Sequence, residues 1–368
     1  MRFSKISFYA LLCLSACVTP YDATTPFRQQ LVVEGLITDQ PGPYVVKLST
    51  TVSVSDQLGE SAAVSGATVV ISDDGGHQET LTEKESGSYY TSSLQGRIGA
   101  SYTLTITTGD GKKYQSTTEK LIAVGDFSNL RYQFQSNEPS QSNRQISSTN
   151  GFNILLDAEV LPDQGGLVWW RWSGTFHIFT YPSLQTQPGN AKVIVQVPDP
   201  PLCSGYYASQ GVLKGPISSC SCCDCWVSQY NQIPLISDPN LVSQGKISQF
   251  NVAFIEANRR TMFDKYHLVV DQMSVSPIVY NFWKTLQIQQ QNSSNLFQTP
   301  PPKTGGNITA LSADGLPVIG YFAASSVKSH SIEMSAADVP YKILPIDTLA
   351  VGCTQVYKNS TNQKPPFW

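Results

Sequence analysis

The sequence predicts a mostly β protein: an N-terminal immunoglobulin-like β-sandwich over residues 27–122, then a larger antiparallel β domain with one α-helix over residues 123–368. Three observations predict it. Short apolar–polar alternations recur along the chain, separated by clusters of Gly, Pro, Asn and Asp. A single segment, near residues 276–291, carries apolar residues at helical spacing. Charged residues are only 14% of the chain, and Ser, Thr, Gln, Tyr and Gly are plentiful, a composition of extracytoplasmic β proteins and unlike that of long helical bundles.

The sandwich elements follow in order. Residues 31–37 read as a strand, Asp39-Gln40-Pro41-Gly42-Pro43 as a turn, and residues 44–49 as the returning strand. Residues 67–71 come next, closed by Asp73-Asp74-Gly75-Gly76, and a strand through Ser88, Tyr89 and Tyr90 precedes the Gly96 to Gly99 turn. The clearest strand is 101–107. Tyr102, Leu104 and Ile106 alternate there with Thr103, Thr105 and Thr107, which places one set in the core and the other in water. Asp110-Gly111 is a hairpin signal, and residues 113–116 continue as the partner strand. About seven short strands with regular turns argue the immunoglobulin-like arrangement.

The second domain opens with a strand at 129–134. A polar stretch, 135–150, reads as a long hairpin loop because residues 151–160 resume as a strand. Further strands are predicted at 168–172, 175–181, 191–197, 247–257, 266–274 and 316–322. In the helix, Ser276 is an N-cap and Pro277 suits the first turn. Ile278, Phe282 and Leu286 recur every fourth residue, with Val279 and Trp283 beside them. Asn292 to Asn295 end the helix, and Pro300 to Pro302 with Gly305 and Gly306 form a loop.

The N-terminus carries an export signal. Arg2 and Lys5 precede an apolar run from Ile6 to Leu14, the length of a signal-peptide core and too short to span a bilayer as a helix. Leu14-Ser15-Ala16-Cys17 resembles the lipobox of bacterial lipoproteins. It implies a signal peptide at 1–16, lipidation of Cys17, and a tether at 17–26. Each buried acyl methylene adds about 0.8 kcal/mol of membrane affinity, so two or three chains hold a protein firmly. No acidic residue follows Cys17 directly, which favours the outer membrane. Loss of residues 1–16 leaves 22 basic against 27 acidic residues, a net charge of −5. No basic face results, which argues against nucleic-acid binding.

Beyond Cys13 and Cys17, six cysteines remain: Cys203, Cys220, Cys222, Cys223, Cys225 and Cys353. An even number in an oxidising compartment favours disulfides. Four of them crowd into residues 220–225, so Cys203 and Cys353 are natural outside partners. A bridge to Cys353 would tie the C-terminal tail to the second domain and order the Pro-, Gly- and Ser-rich stretch 198–226. The alternative is a soft-metal site on the clustered thiolates. Against it, the spacing is not a pair of C-x-x-C knuckles and no histidine lies close in sequence.

No catalytic set is visible. His77, His177, His267 and His330 are scattered, and no nucleophile elbow, zinc-protease helix or phosphate loop occurs. Asp73-Asp74-Gly75-Gly76 lacks calcium-loop spacing and reads as a turn. The expectation is a non-catalytic chain without cofactor or metal. Aromatic side chains are the remaining ligand or interface candidates: Trp169 with Arg171, and Tyr206, Tyr207 and Trp226 beside the cysteines. Alternation turns Trp170 and Trp172 to one face, as core, and Trp169 with Arg171 to the other.

The order of several short motifs resembles that of a family of Bacteroidetes outer-membrane lipoproteins, domain-of-unknown-function family 4249. The motifs are Leu31-Val32-Val33-Glu34-Gly35-Leu36-Ile37-Thr38, the turn and strand from Gly111 to Ser116, Phe282-Trp283, and Gly306-Asn307-Ile308 leading to Gly320-Tyr321-Phe322. Members commonly neighbour TonB-dependent transporters. The resemblance therefore implies an accessory role beside an outer-membrane β-barrel transporter, and it supplies no catalytic residue. A stand-alone carbohydrate- or peptide-binding module is the alternative expectation.

Overall fold

The computed structural model describes residues 28–53, 62–140, 147–188, 194–198, 203–231, 235–292, 305–343 and 348–368. The expected signal peptide, Cys17 and the expected tether lie outside the described residues, as does the expected loop at Pro300 to Pro302. The protein is mostly β, with several antiparallel sheets and two short helical segments in Pro277–Asn292 and Cys353–Val356.

The first six main strands are β1 (Leu31–Thr38), β2 (Val45–Thr50), β3 (Thr68–Asp73), β4 (Ser88–Tyr90), β5 (Ser101–Thr107) and β6 (Lys113–Ser116). The second unit follows as β7 (Phe127–Ser140), β8 (Ser147–Glu159), β9 (Val168–Phe179), β10 (Asp224–Tyr230), β11 (Lys246–Glu256), β12 (Lys265–Ser274) and helix α1 (Pro277–Asn292). The chain then returns through β13 (Ile308–Ala310) and β14 (Val318–Ser325), and re-enters the second unit as β15 (Val327–Ser335).

Two sheets of the first unit face each other. One runs β14–β1–β2–β4 and the other β13–β6–β5–β3, each extended by short edge strands. Alternation works as expected in β5, where Tyr102, Leu104 and Ile106 are buried and the threonines lie half out. They meet Leu31, Val33, Ile37 and Leu48 of the opposite sheet in one core. Each such side chain, fully buried, contributes about 1.5–3 kcal/mol. This two-sheet sandwich is consistent with the immunoglobulin-like expectation.

Residues 27–122 do not complete the sandwich by themselves. Strand β14 pairs in parallel with the whole of β1, from Leu31 opposite Val318 to Thr38 opposite Ser325, and β13 pairs with β6. A boundary at residue 122 leaves both returning strands in the second domain, and the sheets place them in the first. A parallel pair needs a crossover, and here the entire second unit serves as one. Gly320 makes the fit possible: at φ +128° its missing Cβ would meet the Val33 carbonyl.

The second unit packs a three-stranded sheet, β7–β8–β11, on a larger sheet, β15–β12–β9–β10. The stretch 135–150, expected as a long hairpin loop, is largely strand: β7 continues to Ser140, β8 begins at Ser147, and the two pair as a hairpin. The two strands predicted at 168–172 and 175–181 are one continuous strand, β9. Helix α1 begins as expected, with Ser276 Oγ accepting from the Val279 N–H. Its buried side chains are Val279, Tyr280 and Phe282, while Ile278 is 46% exposed. The inward stripe is therefore rotated from the predicted one, because α1 packs between the two units rather than on a single sheet. No helix among the described residues is long and apolar enough to cross a membrane.

A third cluster joins the units: Trp169, Met273, Val279, Tyr280 and Ala323, with Leu36 and Tyr321 against them. Polar contacts lock the same junction. The Asp39 carboxylate accepts from Ser326 Oγ at 2.7 Å and from the Val327 N–H at 2.9 Å. The described chain enters near Leu31, at the end of the sandwich away from this junction. Strand β9 starts at the junction with Val168 and runs about 40 Å to the far tip at Phe179, at roughly 3.3 Å per residue.

Candidate functional site

One side of the β15–β12–β9–β10 sheet enters the core, and the other side carries three zones along β9. Trp170 takes the core side as expected, stacked on Phe250, with its indole N–H donating to Gln272 Oε1 at 2.8 Å. Trp169 takes the outer side, but α1 covers it. Its ring lies 6.1 Å from Trp283 and edge-on to Tyr321, and it is fully buried. Trp169 is therefore core and closed to a ligand. Alternation assigns a face and does not reveal what covers it. Arg171, the middle zone, is exposed opposite Asp271.

The third zone, at the tip, is the densest gathering of polar and aromatic side chains. His177 and Trp226 are register partners on β9 and β10, with rings stacked at 5.0 Å. His177 Nε2 pairs with Asp224 Oδ1 at 2.8 Å, and Nδ1 lies 4.0 Å from Asp264. On the neighbouring strand β12, His267 stacks on Phe367 at 4.5 Å and pairs with Glu333. Lys265 binds Glu333 at 2.6 Å and holds its carboxyl below the usual range, with His267 adding to the effect. Lys265 Nζ also sits 5.0 Å over the Trp368 ring. The Trp368 indole N–H donates to Asp264 Oδ2 at 3.1 Å. Of these residues only Trp226 is a sequence candidate. His177, Lys265 and His267 converge through strand register, and Phe263, whose ring lies 5.5 Å from His177, joins them from a turn with Phe367 and Trp368 from the C-terminal segment; alternation alone discloses neither.

The disulfides stand beside this zone. Cys203 bonds Cys222, Cys220 bonds Cys223, and Cys225 bonds Cys353. Cys203 and Cys353 are thus the outside partners of the cluster. The Cys225–Cys353 bridge closes 128 residues and ties the tail to β10. With the six sulfur atoms paired, the cluster offers no thiolate to a metal. Among the described residues no group of three His, Cys, Asp or Glu side chains converges to hold one.

Between β9 and β10 the chain makes a braced excursion. Two small hairpins, Thr186–Pro188 with Ile194–Gln196 and Tyr207–Ser209 with Val212–Lys214, lean together: Gln196 Oε1 accepts from the Leu213 N–H. Its apolar side chains point outward. Ile194 is 72% and Ile217 64% exposed, and Tyr181, Leu184, Tyr207 and Val212 are exposed as well. Tyr206 is half-buried.

A second feature lies on the small sheet. Asn129 and Gln249, both at positive φ, form bulges on its two edge strands. Asp157 of central β8 pins both, accepting from Asn129 Nδ2 at 2.6 Å and from the Gln249 N–H at 2.7 Å. Those two bonds hold its carboxyl below the usual range. Bulged edges resist pairing with other chains, which accounts for the arrangement.

The family described as Domain of unknown function (DUF4249) matches residues 18–331. The chain belongs to that family. No curated protein and no solved structure matches it. The motifs that carry the family resemblance lie in this DUF4249 chain in the sandwich strands and, for Phe282-Trp283, at the junction of the units, and none lies at the tip. β1 receives β14, Gly306 and Gly320 pack backbone to backbone, and Phe282 and Trp283 close on Tyr321. Asn307 Oδ1 accepts from the Phe322 N–H, and Asn307 Nδ2 donates to the Phe322 carbonyl and to Glu119. The shared motifs are thus architectural: they close the sandwich across the inserted second unit.

Proposed function

We propose that this DUF4249 chain is a non-catalytic outer-membrane lipoprotein, anchored through Cys17, that acts as an accessory subunit of a TonB-dependent β-barrel transporter and aids ligand capture or assembly. The observation that carries the proposal is the tip. A disulfide-braced excursion shows outward apolar side chains at the end of the molecule opposite the chain's entry near Leu31. Exposed apolar patches mark protein interaction sites, and bracing of a binding segment lowers the ordering cost of binding. The lipobox at residues 14–17 supports attachment to the same membrane as the barrel.

The test is purification of the chain from native membranes in mild detergents, with co-purifying proteins identified by mass spectrometry. A β-barrel transporter in near-equal amount is expected, and consistent absence of any barrel contradicts the proposal. Cys17→Ser is expected to abolish incorporation of labelled fatty acid. The stand-alone binding module is a second reading, favoured by the histidine–aromatic face at the tip.

A further inference from the structure

The outer face at the tip already holds a peptide segment, and that segment belongs to the chain itself. After the Cys225–Cys353 bridge, Ser360–Thr361 adds to the edge of β10, and the following residues cross the sheet toward β12. Residues 361–364 are exposed, and Phe367 is 47% exposed. The crossing is held by ring contacts and two side-chain hydrogen bonds: Asn362 Nδ2 donates to the Ser221 carbonyl at 3.3 Å, Phe367 stacks on His267, and Trp368 packs against Trp226 and His177, under Lys265 and bonded to Asp264.

We propose that the face formed by His177, Trp226, Phe263, Lys265 and His267 is a binding site for an aromatic peptide segment of a partner protein, and that Phe367 and Trp368 occupy it in cis. The chemistry of the bound segment defines the ligand class: two adjacent aromatic side chains, one carrying an N–H toward Asp264. Asp224, Asp264 and Glu333 surround the seat, so the flanks of the ligand are neutral or basic, as Lys364 is in the tail.

The tail leaves one polar group of the seat without a partner. The Trp226 indole N–H is buried and has no acceptor, as is true of Trp169 and Trp283 at the junction. Buried donors are normally satisfied, and an unpaired one weakens the state that contains it. A partner segment that sets a backbone carbonyl over Trp226 completes the site and displaces the tail. Because the Cys225–Cys353 bridge keeps the tail local, its effective concentration is about millimolar. The tail therefore excludes weak ligands and yields to a segment that makes more contacts.

The inference stands apart from the transporter reading, since it is measured on the purified chain alone. The probe is a fluorescently labelled Lys-Pro-Pro-Phe-Trp peptide, read by polarisation. The double variant F367A/W368A keeps the chain length and vacates the seat. It is expected to bind the peptide saturably and at least tenfold more tightly than the wild type. Adding His177→Ala or Trp226→Ala is expected to cost another tenfold, and a Lys-Pro-Pro-Ala-Ala peptide is expected not to bind. Thermal unfolding and a thiol count establish that each variant is folded with its disulfides intact. A folded F367A/W368A variant that fails to bind, or that binds no better than the wild type, overturns the proposal.

Discussion

At the scale of single residues, the junction holds one buried acid. Glu119 is 2% exposed and accepts from Thr117 Oγ1 and Asn307 Nδ2, and burial pushes its carboxyl above the usual glutamate value. Folding therefore favours the protonated form. That contribution is fully present below the ordinary glutamate pKa and is lost as pH rises through the higher folded value. Glu119→Gln is expected to remove this slope and to be more stable than the wild type at pH 8, with little difference near pH 4. Urea midpoints at the two pH values check it; equal loss at both contradicts it. Gly174 offers a steric test. A Cβ there would lie 2.0 Å from the buried Tyr266 hydroxyl, which donates to Gln229. Gly174→Ala is expected to cost about 1–3 kcal/mol, measured as a lower Tm. The cysteine cluster was legible in the sequence down to its outside partners, Cys203 and Cys353. The individual pairings were not, because they depend on how β9 and β10 bring residues 220–225 together.

At the scale of elements, the strands that sequence reading finds are those with one buried face, such as β5 with Tyr102, Leu104 and Ile106. It misses β15, whose residues 328–331 are exposed on a sheet edge, and β10, whose pattern is masked by the cysteines. It splits β9 at Ser173-Gly174, since glycine usually ends a strand; here it makes room for Tyr266. The returning strand β14 is held by Asn307, which is buried and serves three partners. Asn307→Ala leaves the Phe322 backbone and Glu119 without those bonds, at about 1–3 kcal/mol for each buried group. Hydrogen exchange is expected to quicken in β14 and β1 together. Removal of the Cys225–Cys353 bridge by C225S/C353S is expected to cost about 4–5 kcal/mol in the chain-entropy model, read from denaturant midpoints.

At the scale of the whole molecule, the mostly β character was legible, while the interlacing of strands from distant parts of the chain was not. Alternation identifies 316–322 as a strand and says nothing of its partner, which lies almost three hundred residues earlier. A fragment of residues 27–122 is accordingly expected to show no cooperative unfolding, and one that also carries residues 305–326 is expected to recover it. The same interlacing sets the direction of the molecule, with the sandwich toward the chain's entry and the braced tip at the far end. The proposed partner contact belongs to that tip. Photo-crosslinking in native membranes tests this most directly, with the probe placed at Ile217 or Tyr207 on the tip and at Ile98 on the sandwich, all exposed. Adducts with a β-barrel protein from Ile217 and Tyr207 but not from Ile98 are the expected result; adducts from Ile98 alone, or none from the tip, would contradict the account.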